Sequence, residues 1–255
     1  MSPNATNLEV TWIGHATVLL ELDGVRLLTD PVLRRRVGPL VRTAPPVDLD
    51  AVSEIDCVLL SHLHADHVDL DSLRLLSHLT PVVAPAGAGA WLRGKGLRDV
   101  RELAAGEGLR IGRLPVRAVS AVHEARRRPL GIAAEPVGYL VGGVRTAYFA
   151  GDTDLYPEMS DLRGRVDVAL LPVWGWGPSV AAGHLDPERA ARAAATIAPR
   201  VAIPIHWGTL ALPRWLRRGY QDQTQPATRF AALAAQSAPE VEVRVLEVGE
   251  RTSVG

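Results

Sequence analysis

Cysteine is almost absent. Cys57 is the only one in 255 residues, so no disulfide can form within the chain and nothing indicates an oxidising compartment. Its neighbours, DCVLL, mark it as a small core residue. Lysine is as scarce, Lys95 standing alone among many arginines, an imbalance with no functional meaning by itself. An excess of charge of either sign is missing too. The 28 Lys and Arg balance 28 Asp and Glu, so no global field favours nucleic acid or an anionic membrane. No apolar run approaches the roughly 20 residues that a membrane-spanning helix needs. The opening MSPNATNLEVTW has neither the basic start nor the apolar core of a signal peptide. These absences predict a cytoplasmic protein without stable membrane insertion. No repeat, low-complexity segment or linker is visible, so residues 1–255 are expected to form one domain. The 47% hydrophobic content suffices for a substantial core.

What is present is a set of short apolar runs. LEVTWIG, ATVLLEL and VRLLTD, at the start of the chain, read as strands, with Asp23-Gly24 a hairpin signal between the second and third. After a Pro- and Arg-bearing connection comes CVLLS, another strand, and then DLDSLRLLSHL, whose leucines are spaced as in a helix. Strand character returns in PVVA, LRIG, PVRAVSAV, VGYLVGG, RTAYFAG and VDVALLPV. Residues 186–199 predict a helix, with Asp186 as N-cap and Pro187 at its first position. RVAIPI then predicts a strand, PATRFAALAAQ a helix and VEVRVLEV a closing strand. Both halves thus place strands first and helix-plus-strand later, a pattern that predicts two packed sheets covered by helices.

The stretch LLSHLHADHVDL, residues 59–70, crowds three histidines and two aspartates against a buried strand. Buried ionisable groups cost free energy unless they are paired or bind a metal. His62 and His64 can turn to one ion while Asp66 and His67, entering the next helix, turn to another, so the spacing suits two metals better than one. Further donors stand singly at strand ends: His123 after VRAVSAV, Asp152 after TAYFAG, His206 after VAIPI. Histidine and carboxylate ligands favour zinc, with manganese or iron as alternatives.

These segments, SHLHADHVD, FAGDTDLY and IPIHWGT, together with WIGHATVLLELDGVRLLTDP, resemble the metallo-β-lactamase-fold hydrolases. More narrowly they resemble the branch of the N-acyl-phosphatidylethanolamine-hydrolysing phospholipase D and its bacterial relatives. The resemblance runs from about Val10 to Gly208. It implies an α/β fold, an αββα four-layer sandwich of two mixed sheets flanked by helices, with a dinuclear centre on one edge. It also implies that His62, His64 and His123 bind the first ion, that Asp66, His67 and His206 bind the second, and that Asp152 bridges both. Asp66 and Asp152 are then the catalytic carboxylates, and a hydroxide bridging the ions attacks a phosphodiester or related ester. Asp66 is also placed to relay protons. Two alternatives stand beside this: a lactonase or carboxylic ester hydrolase acting on a small metabolite, phosphorylated or not, and a non-catalytic or redox metal-binding protein.

Around this set, His15 in GHAT and Asp30 in LLTDP match positions beneath the site, where Asp30 would orient a ligand histidine. His184 in AGHLDPE matches a histidine that faces substrate. In PVWGWGPSVAAGH, Trp174 or Trp176 is expected to wall a pocket for a small-molecule or lipid-like substrate, and Trp207 to be held in packing. Arg126 heads the run Arg126–Arg128 and suits an anionic group. Here the chain reads Glu124, Ala125, Arg126, where the phospholipase branch carries Trp and Ser before Arg, a departure that argues against a diacylated phospholipid. LRRRVGPLVR, residues 33–42, can be read as a flap touching substrate; a membrane surface is disfavoured, because the run lacks a sustained amphipathic pattern. His78 is expected near the end of a helix, on the surface.

Overall fold

The structure is a computed structural model that describes residues 8–126, 131–177, 179–216 and 225–255. Its strands are, in chain order, β1 (Leu8–Gly14), β2 (Thr17–Leu22), β3 (Val25–Thr29), β4 (Arg36–Val37), β5 (Leu40–Arg42), β6 (Cys57–Leu59), β7 (Val82–Pro85), β8 (Val100–Leu103) and β9 (Gly108–Ile111). They continue with β10 (Leu114–Ser120), β11 (Val137–Val141), β12 (Ala147–Phe149), β13 (Val168–Pro172), β14 (Val201–Ile205), β15 (Leu210–Ala211), β16 (Glu242–Val243) and β17 (Arg251–Val254). The α-helices are α1 (Leu70–Leu75), α2 (Gly89–Gly94), α3 (Pro187–Ile197) and α4 (Gln225–Ser237).

Two seven-stranded sheets share one plan. Sheet one runs β17-β1-β2-β3-β6-β7-β8, antiparallel as far as β3 and parallel beyond it. Sheet two runs β16-β14-β13-β12-β11-β10-β9, parallel as far as β12 and antiparallel beyond it. Parallel strands need crossovers, and crossover helices bury the sheet on both faces. Accordingly β13 and β14 are buried at every residue, whereas in β10 Pro115 and Arg117 are exposed between buried Leu114, Val116 and Ala118.

The pleat sends alternate side chains to opposite faces. In β6, Cys57 and Leu59 join the cluster that fills the space between the sheets, while Val58 points to a second cluster outside sheet one with Leu73 of α1 and Leu92 of α2. Cys57 is a free, buried core thiol whose pKa burial pushes up to about 12. Helices α3 and α4 cover sheet two through buried Ala190, Ala194, Ile197, Phe230 and Ala234. Asp186 caps α3 by accepting from Arg189 N at 2.8 Å, and the helix stops at Ala198 in the left-handed region. The layers are therefore helices, sheet, sheet, helices, as the sequence predicts.

Four local expectations change. Helix α1 ends at Leu75, and His78 lies beyond it in an exposed turn, beside a cleft of about 190 Å³ lined by Val58 and Val82. Of VEVRVLEV only Glu242–Val243 pairs, and the chain instead returns to sheet one as β17. Helix α2 had no periodic signal. Residues 33–42 are not a flap: β4 and β5 form a hairpin that joins β15, with Val32, Val37, Leu40 and Leu210 as its own small core. Arg34 clamps Asp69 through two hydrogen bonds of 2.7 and 2.8 Å, and buried Arg42 donates to Ile13 O at 2.6 Å. Buried apolar side chains and hydrogen bonds from both guanidinia hold this hairpin against the sandwich.

Candidate metal centre

The carboxyl ends of the strands gather the ionisable residues on one edge of the sandwich, the place where open α/β sheets collect ligands. Sheet one contributes His15 from the β1–β2 turn, Asp30 after β3, and His62, His64, Asp66 and His67 after β6. Sheet two contributes His123 after β10, Asp152 after β12 and His206 after β14. Three of these, His15, Asp30 and His206, have positive φ (53°, 32° and 65°). Non-glycine residues rarely adopt that region, and such strain clusters at functional sites.

Main-chain contacts join the two sheets here. His206 N donates to His15 O at 2.9 Å, and Val137 N to Ser61 O at 2.9 Å. Gly151 (φ 61°) lets the edges close: a Cβ there would lie 2.4 Å from Ser61 Cβ.

Five imidazoles are held in one manner, one ring nitrogen on an oxygen outside the cluster and the other facing inward. His62 Nδ1 pairs with Ser61 Oγ at 3.0 Å, and His64 Nε2 with Arg126 O at 3.0 Å. His67 Nδ1 pairs with Asp30 Oδ2 at 2.7 Å, His123 Nδ1 with Gly183 O at 2.8 Å, and His206 Nδ1 with Trp174 O at 3.0 Å. A carbonyl or carboxylate accepts only, and Ser61 Oγ gives its own hydrogen to Asp30 and so accepts from His62; in each ring the outward nitrogen therefore carries the hydrogen and the inward one can offer its lone pair. Asp30 is itself fixed, accepting from Ser61 N at 2.8 Å and Ser61 Oγ at 2.5 Å.

Among the described residues, the donor atoms fall into four overlapping groups, two of which, Asp30 with His62 and His67 and His123 with Asp152 and His184, link the other two. His62, His64 and His123 make one, with His64 Nδ1 and His123 Nε2 2.9 Å apart. Asp66, His67 and His206 make the other, joined by His15, with the Nε2 atoms of His67 and His206 3.0 Å apart. Asp152 lies between them. Its Oδ2 is 3.1 Å from His67 Nε2, 3.4 Å from His184 Nε2 and 3.9 Å from His62 and His123 Nε2, and its Oδ1 is 3.2 Å from His206 Nε2.

Burial would raise the carboxyls of Asp66 and Asp152, but the imidazoles around them, His15 for Asp66 and His206 and His67 for Asp152, hold both well below the usual range. Burial depresses His62 and His206 strongly and His64 and His123 less, keeping those rings neutral. For His67, burial is outweighed by Asp152 and Asp30, which raise its pKa; for Asp30 burial wins and the carboxyl is raised. The carboxylates that favour a proton on His67 equally favour a divalent cation beside it.

This donor set fits metal ions. Of the six buried side-chain atoms without a hydrogen-bond partner among the described residues, His62 Nε2 and Asp152 Oδ1 belong to the cluster's donors. Leaving such atoms unpaired costs about 1–3 kcal/mol each, a cost that a coordinated cation removes. The neutral imidazoles of His62, His64, His123 and His206, their far N–H anchored, next to ionised Asp66 and Asp152, are the ligand forms a metal requires, and a metal would displace the proton that His67 favours.

The flanking candidates divide. His15 does not face the cluster with a lone pair; its Nε2 donates to Asp66 Oδ2 at 3.2 Å. His184 is partly exposed, with Nδ1 on Ala181 O and Ala182 O and Nε2 toward Asp152. Trp176 donates to Asp66 Oδ2 at 3.0 Å, whereas Trp174 packs against the core and donates to Gly177 O at 3.1 Å. Trp207 stacks on Trp12, ring centres 4.8 Å apart. Arg126 reaches the site through its carbonyl, its guanidinium turning to Gly131 O at 3.4 Å; Arg127 and Arg128 lie outside the described residues. Sequence reading missed Ser61 and Gly151. Their only signal is position, each immediately before a donor, in SHLH and GDT.

Comparison with known proteins agrees with this picture. A family model described as "Beta-lactamase superfamily domain" matches residues 25–207. A UPF0173 metal-dependent hydrolase of Methanopyrus kandleri is 32% identical, covering 95% of this chain and 98% of its own. An uncharacterised protein of Mycobacterium tuberculosis is 36% identical over 83% of this chain, which spans only 63% of that relative's length. The N-acyl-phosphatidylethanolamine-hydrolyzing phospholipase D 1 of Caenorhabditis elegans is 30% identical over 80% of this chain and 65% of its own. Among solved structures, Igni18, a metallo hydrolase from Ignicoccus hospitalis, superposes with a TM-score of 0.75 at 24% identity, covering 98% of this chain and 99% of the other. The chain belongs to the metallo-β-lactamase superfamily.

Proposed function

We propose that this protein is a dinuclear metal-dependent hydrolase, most naturally with zinc, acting on a phosphodiester or related ester in a reducing, cytoplasmic setting. One observation carries the reading. Five imidazoles, each anchored by its outward nitrogen, turn their inward nitrogens toward two groups with Asp152 between them. His62, His64 and His123 would hold one ion, and Asp66, His67 and His206 the other, with Asp152 shared. Two divalent ions held there supply acidified water and neutralise charge developing on the attacking and leaving oxygens.

The chain's own residues do the rest. Ser61 and Asp30 fix His62 and His67, so the donors need no reorganisation during reaction. Asp66, ionised and partly open to solvent, is placed to relay the proton of the attacking water to solvent, its lowered pKa disfavouring retention. His184, at the rim with Nε2 toward Asp152, faces the side from which substrate arrives. Phosphodiester chemistry is favoured by the likeness to a protein named a phospholipase D, and the buried Cys57 thiol suits a reducing compartment.

The test combines metal analysis with a substrate panel. Protein purified without chelator and offered zinc or manganese should hold two ions per chain, with one fewer in His64→Ala. It should turn over bis-p-nitrophenyl phosphate faster than simple lactones. A metal content below two ions per chain ends the dinuclear proposal, and faster lactone cleavage moves it to carboxylic esters.

A further inference from the structure

We infer that Trp176 is a positioning residue: its indole fixes Asp66 and ties the loop after β13 to the second ion group. The inference rests on the dinuclear reading above.

The sequence VWGWG, residues 173–177, offers two tryptophans whose aromatic faces suggest a substrate wall. Their hydrogen bonds say otherwise. Trp176 Nε1 donates to Asp66 Oδ2 at 3.0 Å, across 110 residues of sequence, although the residue is 37% exposed. A substrate wall needs only the ring face, whereas a directed N–H on an ionised carboxylate is a charge-assisted bond with a defined geometry. The same oxygen accepts from His15 Nε2 at 3.2 Å and lies 3.9 Å from the Nε2 atoms of His67 and His206. Asp66 is thus gripped from two sides, by buried His15 from sheet one and by Trp176 from the loop.

The same loop holds a second member of this group. Trp174 O accepts from His206 Nδ1 at 3.0 Å, and Trp174 Nε1 donates to Gly177 O at 3.1 Å, which folds the loop back so that Trp176 reaches Asp66. Two of the three proposed donors, His206 and Asp66, therefore lean on residues 174–177. The third, His67, leans on Asp30 at the end of β3. The anchors of the His62, His64 and His123 group lie elsewhere, at Ser61, at Arg126 O and, further along the same loop, at Gly183 O. Moving residues 174–177 should disturb one ion and leave the other.

Removing a partner of a ligating carboxylate typically weakens metal binding about 10- to 100-fold. The experiment titrates metal-free wild type, Trp176→Phe and Trp176→His with Co2+ alone by calorimetry, and follows tryptophan emission in parallel. Wild type should bind two ions, the second changing the emission. Trp176→Phe, which keeps an apolar ring but loses the N–H, should bind the first ion within about twofold of wild type and the second at least tenfold more weakly. It should also lose the emission change. Trp176→His, which restores a ring N–H, should recover part of the affinity. Two ions in wild type with an unchanged second Kd in Trp176→Phe overturn this inference alone, and so does a defect confined to KM for bis-p-nitrophenyl phosphate. Fewer than two ions in wild type overturn the dinuclear reading together with it.

Discussion

The two sheets are built on the same plan, yet they furnish the shared edge in opposite ways. Sheet one packs four of the seven proposed ligands into residues 62–67, where one strand exit and one turn place them. Sheet two spends a whole strand on each of its three, His123, Asp152 and His206. A local cluster is positioned by a handful of dihedral angles, whereas scattered residues converge only when separate strands end at the same edge of the sheet. The difference teaches that density marks a site in sequence, while its span is set by tertiary structure.

Asp152 is where that comparison breaks most visibly. Lying within 3.9 Å of five imidazole nitrogens, it serves both groups, so Asp152→Ala should lower metal content below one ion per chain. Turnover should fall about a thousandfold or more, since several kcal/mol of charge stabilisation are lost. Retention of both ions, read by elemental analysis, would show that sheet two is dispensable to the centre.

Asp30→Asn comes next. It leaves every proposed ligand in place but weakens the anchor on buried His67, so metal affinity should fall about 10- to 100-fold by calorimetry. Unchanged affinity would mean that Ser61 and the turn alone position the sheet-one cluster.

The pH dependence of metal binding has a smaller effect and a definite sign. His67 has a raised pKa because Asp152 and Asp30 outweigh its burial, so ion and proton compete for its Nε2. Affinity should rise with pH through and above the ordinary histidine value near 6.5, with proton release visible as different apparent enthalpies in two buffers. Affinity independent of pH would remove His67 from the ligand set.

Asp69 is the mildest probe and the sharpest contrast, because it stands three residues from Asp66. It caps α1 through Ser72 N at 3.1 Å and binds Arg34. Burial would raise its carboxyl, but Arg34 and Ser72 lower it. Its stabilisation is therefore present above the unfolded value near 3.9 and lost as pH falls through the depressed folded value. Asp69→Ala should cost about 1–2 kcal/mol in urea denaturation with both ions retained; loss of metal would show that cap and centre are one unit.

Much of the layered fold was legible because apolar alternation and the 186–199 cap signals are local physics. The convergence of His62 to His67 with His123, Asp152 and His206 was legible because each follows an apolar run. What escaped depends on main-chain geometry. Arg126 suggested an anion-binding guanidinium and supplies a carbonyl. Trp176 suggested a wall and supplies an N–H. Ser61 and Gly151 matter through a hydroxyl and a missing methyl where two edges meet. Residues 33–42 looked free because their partners, Asp69, Ile13 and β15, are distant in sequence.

Strand β17 has a consequence for how the chain folds. Leu8 pairs with Val254, so the sheet opened by β1 gains its outer strand only after all of sheet two has been synthesised. Until residues 251–254 leave the ribosome, β1 presents an unpaired edge, the feature most prone to pairing with another chain. Such long-range closure is slow, and β1 leads directly into His15 and its carbonyl bond to His206. Productive folding of this chain is thus a race between closing that edge and losing it to a neighbour.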